Sequence, residues 1–257
     1  MAAGSAAWLT ACGGAAPIAS DQGDVAREVV PIERMDCDGG EEQLVDLDGD
    51  GRANVRQVLK DGKLVCEQID INLDGRVDLT RFYGPDQQVT FEQHDFDFDG
   101  RLDQQAFYEK GQLVRKELDT NFDRLIDTWI FCEGPYITRL ERDRRHTGRV
   151  NTWEMYKKGQ LERVHYDNDN DLKVDRWEQY SAGRLVQIAE DVNHDGSPDR
   201  GGEVAPDRMA PAAHMVSCDG SELAAPDAEQ AAPAPAPAAP PPAAQAPAST
   251  PSEGEGG

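Results

Sequence analysis

Seven Asp-rich loops recur at nearly constant intervals along the chain. Their first residues are Asp46, Asp70, Asp95, Asp119, Asp143, Asp167 and Asp191, so successive loops start 24 or 25 residues apart. A fixed period of this length indicates one small structural unit copied in series, with each copy packing on its neighbours. The sequence therefore predicts a tandem-repeat fold.

Each loop spans nine residues, as in DFDFDGRLD from Asp95 to Asp103, with oxygen-bearing side chains at positions one, three, five and nine. Ca²⁺ takes about six to eight oxygen ligands, and a tightly coiled chain can direct alternate side chains at one ion. Gly at position six, such as Gly100, permits the sharp turn because glycine tolerates positive φ. The candidate Ca²⁺ ligands are Asp46, Asp48, Asp50 and Asn54; Asp70, Asn72, Asp74 and Asp78; Asp95, Asp97, Asp99 and Asp103; Asp119, Asn121, Asp123 and Asp127; Asp167, Asp169, Asp171 and Asp175; and Asp191, Asn193, Asp195 and Asp199.

The loops, numbered one to seven in chain order, are unequal. Loops four and six carry Arg124 and Leu172 where glycine is expected, so weaker binding is predicted there. Loop five has Arg145 and Thr147 at ligand positions and is predicted to be free of metal. An alternative is that all seven are solvated turns, since Asp and Gly favour turns unaided. Four oxygens at fixed offsets in several copies favour the calcium interpretation.

The loops resemble the nine-residue calcium loops of FG-GAP repeats in integrin-type propellers and the Asp-rich type 3 repeats of thrombospondin. That resemblance implies Ca²⁺ as the bound ion and covers the loops alone. An EF-hand is not indicated, because its flanking helices are replaced here by strand-like segments.

The segments between loops are rich in aromatic and β-branched residues and are too short for helices between their glycines. The cadence Tyr108-x-x-Gly111-x-Leu113, repeated in other units, resembles YD/RHS and MORN-like repeats, which implies a curled β-sheet. We predict an all-β fold of tandem 24-residue β-hairpins forming an antiparallel meander, a curled sheet or a β-solenoid. The Asp-rich loops would all lie along one edge, and the termini would be disordered.

Three tryptophans, Trp129, Trp153 and Trp177, fall at one repeat position. One interpretation is packing on a buried face of the sheet. The other is an exposed ladder that stacks on sugars, since a single-layer sheet leaves one face solvated.

The termini differ in composition from the repeats. Leu9-Thr10-Ala11-Cys12 resembles a bacterial lipobox, so residues 1–12 are predicted as a lipoprotein signal, truncated upstream, with Cys12 lipidated. Residues 13–35 are predicted as a flexible tether, 36–205 as the repeat domain, 206–223 as an irregular extension and 224–257 as a disordered Ala/Pro-rich tail. The lipobox implies attachment to the cell envelope, at the outer membrane.

Charge and cysteines restrict the partners and the compartment. The net charge is −23, from 49 acidic and 26 basic residues, which argues against nucleic acid and anionic lipid as partners. Four cysteines remain besides Cys12, and an even number in an exported chain suggests two disulfides with three possible connectivities. One of these joins Cys37 to Cys66 and Cys132 to Cys218.

These observations predict a non-enzymatic calcium-binding lipoprotein with a structural or adhesion role at the cell envelope. The whole set resembles lipoproteins of myxobacteria with tandem DxDxDG repeats and Ala/Pro tails. Partners would be the membrane through the lipid at Cys12, and a cell-wall or extracellular polysaccharide or a protein. The alternative function is a carbohydrate-binding module that uses Trp129, Trp153 and Trp177.

Overall fold

The computed structural model describes residues 27–205, 215–219 and 222–223, which all belong to one compact unit. Each repeat consists of a strand, a tight turn, a second strand and an Asp-rich loop. The strands are β1 (Glu41–Val45), β2 (Val55–Lys60), β3 (Lys63–Ile69), β4 (Leu79–Tyr83), β5 (Val89–His94), β6 (Gln104–Glu109), β7 (Gln112–Leu118), β8 (Thr128–Glu133), β9 (Tyr136–Arg142), β10 (Thr152–Lys157), β11 (Gln160–Tyr166), β12 (Arg176–Ser181), β13 (Arg184–Glu190), β14 (Arg200–Glu203), β15 (Met215–Val216) and β16 (Glu222–Leu223).

Strands β1 to β14 form one antiparallel sheet in which neighbours in sequence are neighbours in space. The predicted all-β meander of hairpins is therefore confirmed. Among the described residues, β1 pairs only with β2 and β14 only with β13, so the sheet is open rather than closed. Because successive strands reverse direction, all seven Asp-rich loops lie at one end of the strands and the tight turns lie at the other.

The conformation of the tight turns favours a β-hairpin in each repeat. In four of them two consecutive residues have positive φ, as at Asp61 (52°) and Gly62 (72°). This is the backbone of a two-residue type I′ turn, whose twist matches that of the flanking strands. The β2–β3 register then shifts by one residue between Val58 and Leu59, and the same shift recurs in the other hairpins.

One face of the sheet carries a row of directly paired side chains that includes all three tryptophans of the repeats. We call it the tryptophan row, and it consists of Glu117, Trp129, Glu141, Trp153, His165, Trp177 and Ala189. Trp129, Trp153 and Trp177 are each 1% exposed. An indole buried to this extent has no free face for a sugar ring, so the structure corrects the glycan-stacking alternative and places these residues in the core.

Residues 27–37 cross this face as an extended strap. The backbone N–H of Val150 donates to the carbonyl oxygen of Arg27 (2.9 Å), and that of Ile126 donates to Val30 (2.8 Å). Val29 and Ile32 pack against the cluster of buried residues Ile126, Trp129, Val150, Trp153 and Met155. The strap thus supplies apolar cover that a single-layer sheet lacks.

The strap continues across the earlier repeats towards β3. Gln93 Nε2 donates to the carbonyl oxygen of Glu33 (2.7 Å), and the N–H of Met35 donates back to Gln93 Oε1 (2.9 Å). Residues 27–35 were expected to belong to a flexible tether, but in the structure they contact the sheet. The remainder of that tether, the signal with Cys12 and the Ala/Pro tail lie outside the described residues.

Two disulfides fix the segments that flank the repeats. Cys37 is bonded to Cys66 and Cys132 to Cys218, with Cα–Cα distances of 5.7 and 5.9 Å. The first holds the end of the strap to β3. The second holds residues 215–219 beside β8 and β9, where the N–H of Cys218 donates to the carbonyl oxygen of Pro135 (2.9 Å). Within the described residues, no helix is long and apolar enough to cross a bilayer.

Candidate metal sites

The aspartate at position one organises every loop. One of its carboxylate oxygens accepts a hydrogen bond from the backbone N–H at position six, which closes the loop around the carboxylate. The donors are Gly51 (3.0 Å), Gly75 (2.8 Å), Gly100 (2.8 Å), Arg124 (2.6 Å), Gly148 (2.7 Å), Leu172 (3.1 Å) and Gly196 (2.6 Å). The sequence pattern of alternate oxygens thus corresponds to one recurring backbone conformation.

The residue at position nine fixes the other end of each loop. Its side-chain oxygen accepts the backbone N–H of position two in all seven loops, for example from Ile71 to Asp78 Oδ2 and from Phe96 to Asp103 Oδ2 (2.7 and 2.6 Å). The side chains at positions one and nine are buried in most loops, whereas those at positions three and five are exposed. Each loop therefore has two fixed side chains, at positions one and nine, and every loop except loop five also has two accessible carboxylates or amides.

Three loops bring three carboxylates together closely enough to share one ion. In loops one, three and six, carboxylate oxygens of positions one, three and five lie within 4.8 Å of one another. The residues are Asp46, Asp48 and Asp50; Asp95, Asp97 and Asp99; and Asp167, Asp169 and Asp171. Loops two, four and seven have Asn72, Asn121 and Asn193 at position three, so an amide oxygen replaces one carboxylate there.

Two buried carboxylate oxygens near loop three have no hydrogen-bond partner. They are Oδ1 of Asp95, at position one, and Oδ1 of Asp78, at position nine of loop two. Burial raises the pKa of Asp95 above its ordinary value, and the neighbouring charges of Asp78 and Asp97 add to that shift. Burial likewise raises the pKa of Asp103, Asp119 and Asp167. A cation at these sites would supply the missing partner and offset the repulsion.

In loop five, side-chain and backbone groups of the protein hydrogen-bond the position-one aspartate, Asp143. Oδ1 of Asp143 accepts from Asn151 Nδ2 (2.9 Å), from the N–H of Thr147 (3.0 Å) and from Thr147 Oγ1 (3.3 Å). The Asn151 amide stands where loops two, three, four, six and seven have a carboxylate. This loop folds as the others do without offering a cluster of acidic oxygens, as its sequence led us to expect.

Adjacent loops are joined directly. The N–H of each position-one aspartate from loop two onward donates to the carbonyl oxygen at position nine of the preceding loop, at 2.8 to 3.0 Å. Examples are Asp95 to Asp78 and Asp119 to Asp103, both at 2.8 Å. The candidate sites therefore form a continuous ladder along the loop end of the sheet.

A second left-handed position in each loop escaped the sequence analysis. Position four has positive φ throughout, including at Leu73 (64°), Phe98 (63°) and Phe122 (60°). Large side chains rarely adopt this conformation, so the carboxylate hydrogen bonds must hold it. Gly49 and Asn170, which occupy position four of loops one and six, were sequence signals for it. Position six keeps positive φ even at Arg124 (83°) and Leu172 (74°), so loops four and six share the fold of the glycine-containing loops.

Two position-four histidines reach the preceding loop, which the sequence spacing did not reveal. His194 of loop seven places Nδ1 2.9 Å from Asp169 Oδ2 and 3.2 Å from Asp175 Oδ1, both in loop six. His146 of loop five places Nδ1 2.8 Å from Asn121 Nδ2 in loop four. Both histidines thus lie beside candidate ligands of another repeat.

Comparisons with known proteins do not assign the chain to a family. No protein-family model matches the chain, and no curated protein matches it. Part of the chain is similar to the crystal structure of accessory secretory protein 1,2 and 3 in Streptococcus pneumoniae, with 18% identity and a TM-score of 0.26. The match covers 49% of this chain and 20% of that chain. A similarity at this TM-score carries no argument about fold or function.

Proposed function

We propose that the chain is a non-enzymatic calcium-binding repeat protein in which Ca²⁺ stabilises the loop end of an open β-sheet. The observation that carries the proposal is loop three, where the oxygens of Asp95, Asp97 and Asp99 converge and a buried oxygen of Asp95 has no hydrogen-bond partner. A hard, oxygen-only donor set on a coiled loop suits Ca²⁺, which accepts irregular geometry and many ligands. Mg²⁺ demands a near-ideal octahedron and keeps several of its waters, so it fits such a loop less well.

The charge of the loops explains why a cation would matter for stability. Three carboxylates within 4.8 Å of one another repel strongly at neutral pH. The hydrogen bonds that join position one of each loop to position nine of the preceding loop carry this repulsion from loop to loop. Bound Ca²⁺ would convert this repulsion into attraction and make the repeats act as one unit.

The proposal includes the cellular setting inferred from the sequence. The protein would be anchored to the bacterial envelope through lipid on Cys12, which lies outside the described residues, and would serve a structural or adhesion role there. Its partner would be a polysaccharide or a protein at the cell surface.

Thermal unfolding of the full chain in millimolar Ca²⁺ and in excess chelator tests the calcium part of the proposal. We expect a higher melting temperature in Ca²⁺ and no comparable rise in the same concentration of Mg²⁺. A melting temperature that is equal in Ca²⁺ and in chelator would contradict it.

A further inference from the structure

His194 gives loop six a donor set unlike those of the all-oxygen loops. Oδ2 of Asp169, Oδ1 of Asp175 and Nδ1 of His194 converge from two repeats, all within 4.8 Å of one another. Asp175 is held in place because its other oxygen, Oδ2, accepts the backbone N–H groups of Asn168 and Asp169. His194 is half-exposed, so an ion can reach the cluster from solvent.

Lys173 contacts the fifth-position carboxylate of the same loop. Its Nζ lies 3.7 Å from Asp171 Oδ2 and donates to the carbonyl oxygen of His194 (2.7 Å). The ammonium group partly neutralises Asp171 and fixes the backbone of His194. Asp169 and Asp175 are the carboxylates that contact the imidazole of His194.

The placement of histidine follows a pattern along the chain. Among the seven position-four residues, only His146 and His194 are histidines, and each reaches back to the preceding loop. Those preceding loops, four and six, are the two without glycine at position six. Position four of loops two, three and four holds Leu73, Phe98 and Phe122, none of which can bind a metal.

We propose that Asp169, Asp175 and His194 bind a divalent transition metal of the Zn²⁺ class, distinct from the Ca²⁺ of the all-oxygen loops. Imidazole nitrogen suits Zn²⁺, Ni²⁺ or Cu²⁺ and is not a ligand that Ca²⁺ prefers. Two carboxylates and one neutral histidine give Zn²⁺ three protein ligands and leave a position for water. The inference rests on the proposed function in one respect, that these loops hold cations.

The test is a Zn²⁺ titration of the full, untagged chain by calorimetry, carried out without Ca²⁺ because Asp169 and Asp175 are also candidate Ca²⁺ ligands. We compare the wild type with His194→Phe. Phenylalanine is a matched replacement because Phe98 and Phe122 occupy the same loop position with φ of 63° and 60°, against 61° at His194. Losing a ligand should weaken Zn²⁺ at this site at least as much as the about 10- to 100-fold typical of losing a supporting residue.

A gain-of-site variant keeps the test decisive if His194→Phe fails to fold. Phe122→His places an imidazole beside loop three, where Asp97 and Asp103 are the equivalents of Asp169 and Asp175. The exposed Phe122 side chain is free to change, and the variant should bind one more Zn²⁺ than the wild type.

Equal Zn²⁺ affinity in the wild type and His194→Phe, or no added site in Phe122→His, would overturn the proposal and leave His194 as a structural contact of Asp169 and Asp175. The calcium proposal is judged separately, by the Ca²⁺-dependent melting temperature of the same variants. A Zn²⁺ site that depends on His194, with no effect of Ca²⁺ on the melting temperature, would reject only the calcium proposal. A Ca²⁺-dependent melting temperature without a histidine-dependent Zn²⁺ site would reject only the zinc proposal.

Discussion

The backbone N–H of Asp95 donates to the carbonyl oxygen of Asp78 at 2.8 Å, and each of the two side chains has a buried oxygen without a hydrogen-bond partner. The two residues belong to successive loops, so like charges from different repeats are held together by the ladder itself. Repulsion between loops is therefore built into the sheet, and a cation bound in one loop also changes the electrostatic energy of the next loop.

Removing one charge from this pair should have opposite effects with and without calcium. Asp78→Asn should raise the melting temperature in chelator, because the repulsion on Asp95 falls. It should also shrink the additional rise caused by Ca²⁺. Thermal unfolding in both conditions measures the two effects. Asn151→Asp adds a carboxylate beside Asp167, where loops five and six meet, and should lower the melting temperature in chelator. If both variants changed the melting temperature in the same direction, repulsion between adjacent loops would not explain it.

Individual loops should contribute unequally to calcium binding. Asp97→Ala removes an exposed candidate ligand of loop three and should lower the number of bound Ca²⁺ or its affinity. At ten times Kd each occupied site adds about 1.4 kcal/mol to the free energy of unfolding, so losing one site should cost about that much. Calorimetric titration and melting in Ca²⁺ measure this loss. Arg145→Ala, at the same position of loop five, should change neither the binding of Ca²⁺ nor the melting temperature in Ca²⁺. Equal losses in the two variants would mean that the loops act only as turns.

The cover that the strap gives to the tryptophan row should depend on Val29. Val29→Asp places a charge against the cluster around Trp129 and Trp153 and should destabilise the fold by about 1–3 kcal/mol. Acrylamide quenching of tryptophan fluorescence should increase as the strap detaches. Val30→Asp is the control, because Val30 is 49% exposed and points away from the cluster. Equal quenching in the two variants would show that the strap does not protect these indoles.

Acid should destabilise the sheet through Glu92. Burial opposes ionisation of this residue, but the neighbouring His94 and the hydrogen bonds from Tyr108 and Arg81 outweigh it and lower the pKa of Glu92 from 4.5 to about 2. A lowered folded-state pKa means that the stabilisation is complete above pH 4.5 and is lost as pH falls towards 2. That loss amounts to about 3 kcal/mol.

Urea unfolding from neutral pH down to about pH 2 measures this dependence. Glu92→Gln should be less stable at neutral pH and should lose less stability on acidification than the wild type. Glu109→Gln, at an exposed site on β6, should follow the wild-type curve. An unchanged slope in Glu92→Gln would exclude Glu92 as the acid-sensitive group.

Lipid attachment should depend on the sulfur of Cys12. In a bacterial host that exports the protein, labelled palmitate should enter the wild type and not Cys12→Ser, and the variant should leave the membrane fraction. Several acyl chains anchor a protein stably, whereas one anchors it only marginally. If the wild type takes up no lipid in such a host, the match to a lipobox is a coincidence.

The repeats were predictable because their signals are local. The 24-residue spacing, the Gly62, Gly111, Gly159 and Gly183 turns and the alternate oxygens of the loops each act within one unit, and they sufficed to predict the meander. The disulfides could only be narrowed to three connectivities, since pairing depends on the path of the chain outside the repeats.

The strap and the reach of His194 were not predictable, because both depend on contacts between units. Arg27 and its ion-pair partner Glu141 are 114 residues apart, and nothing in the sequence from Arg27 to Cys37 repeats. For the same reason the tryptophans could not be assigned to a buried or an exposed face until their cover was known. Position four was missed because Leu73, Phe98 and Phe122 are residues that seldom adopt positive φ.

The open ends of the sheet leave the number of repeats unconstrained by geometry. A closed ring of strands would fail if one hairpin were duplicated or lost, whereas a sheet with free ends can gain or lose one unit and change length by about 10 Å. The open sheet itself therefore sets no fixed number of repeats. The outermost strands must then resist polymerisation, and β1 begins with Glu41 and Glu42 while β14 carries Arg200 and Glu203, charges that discourage a second sheet from docking on either end.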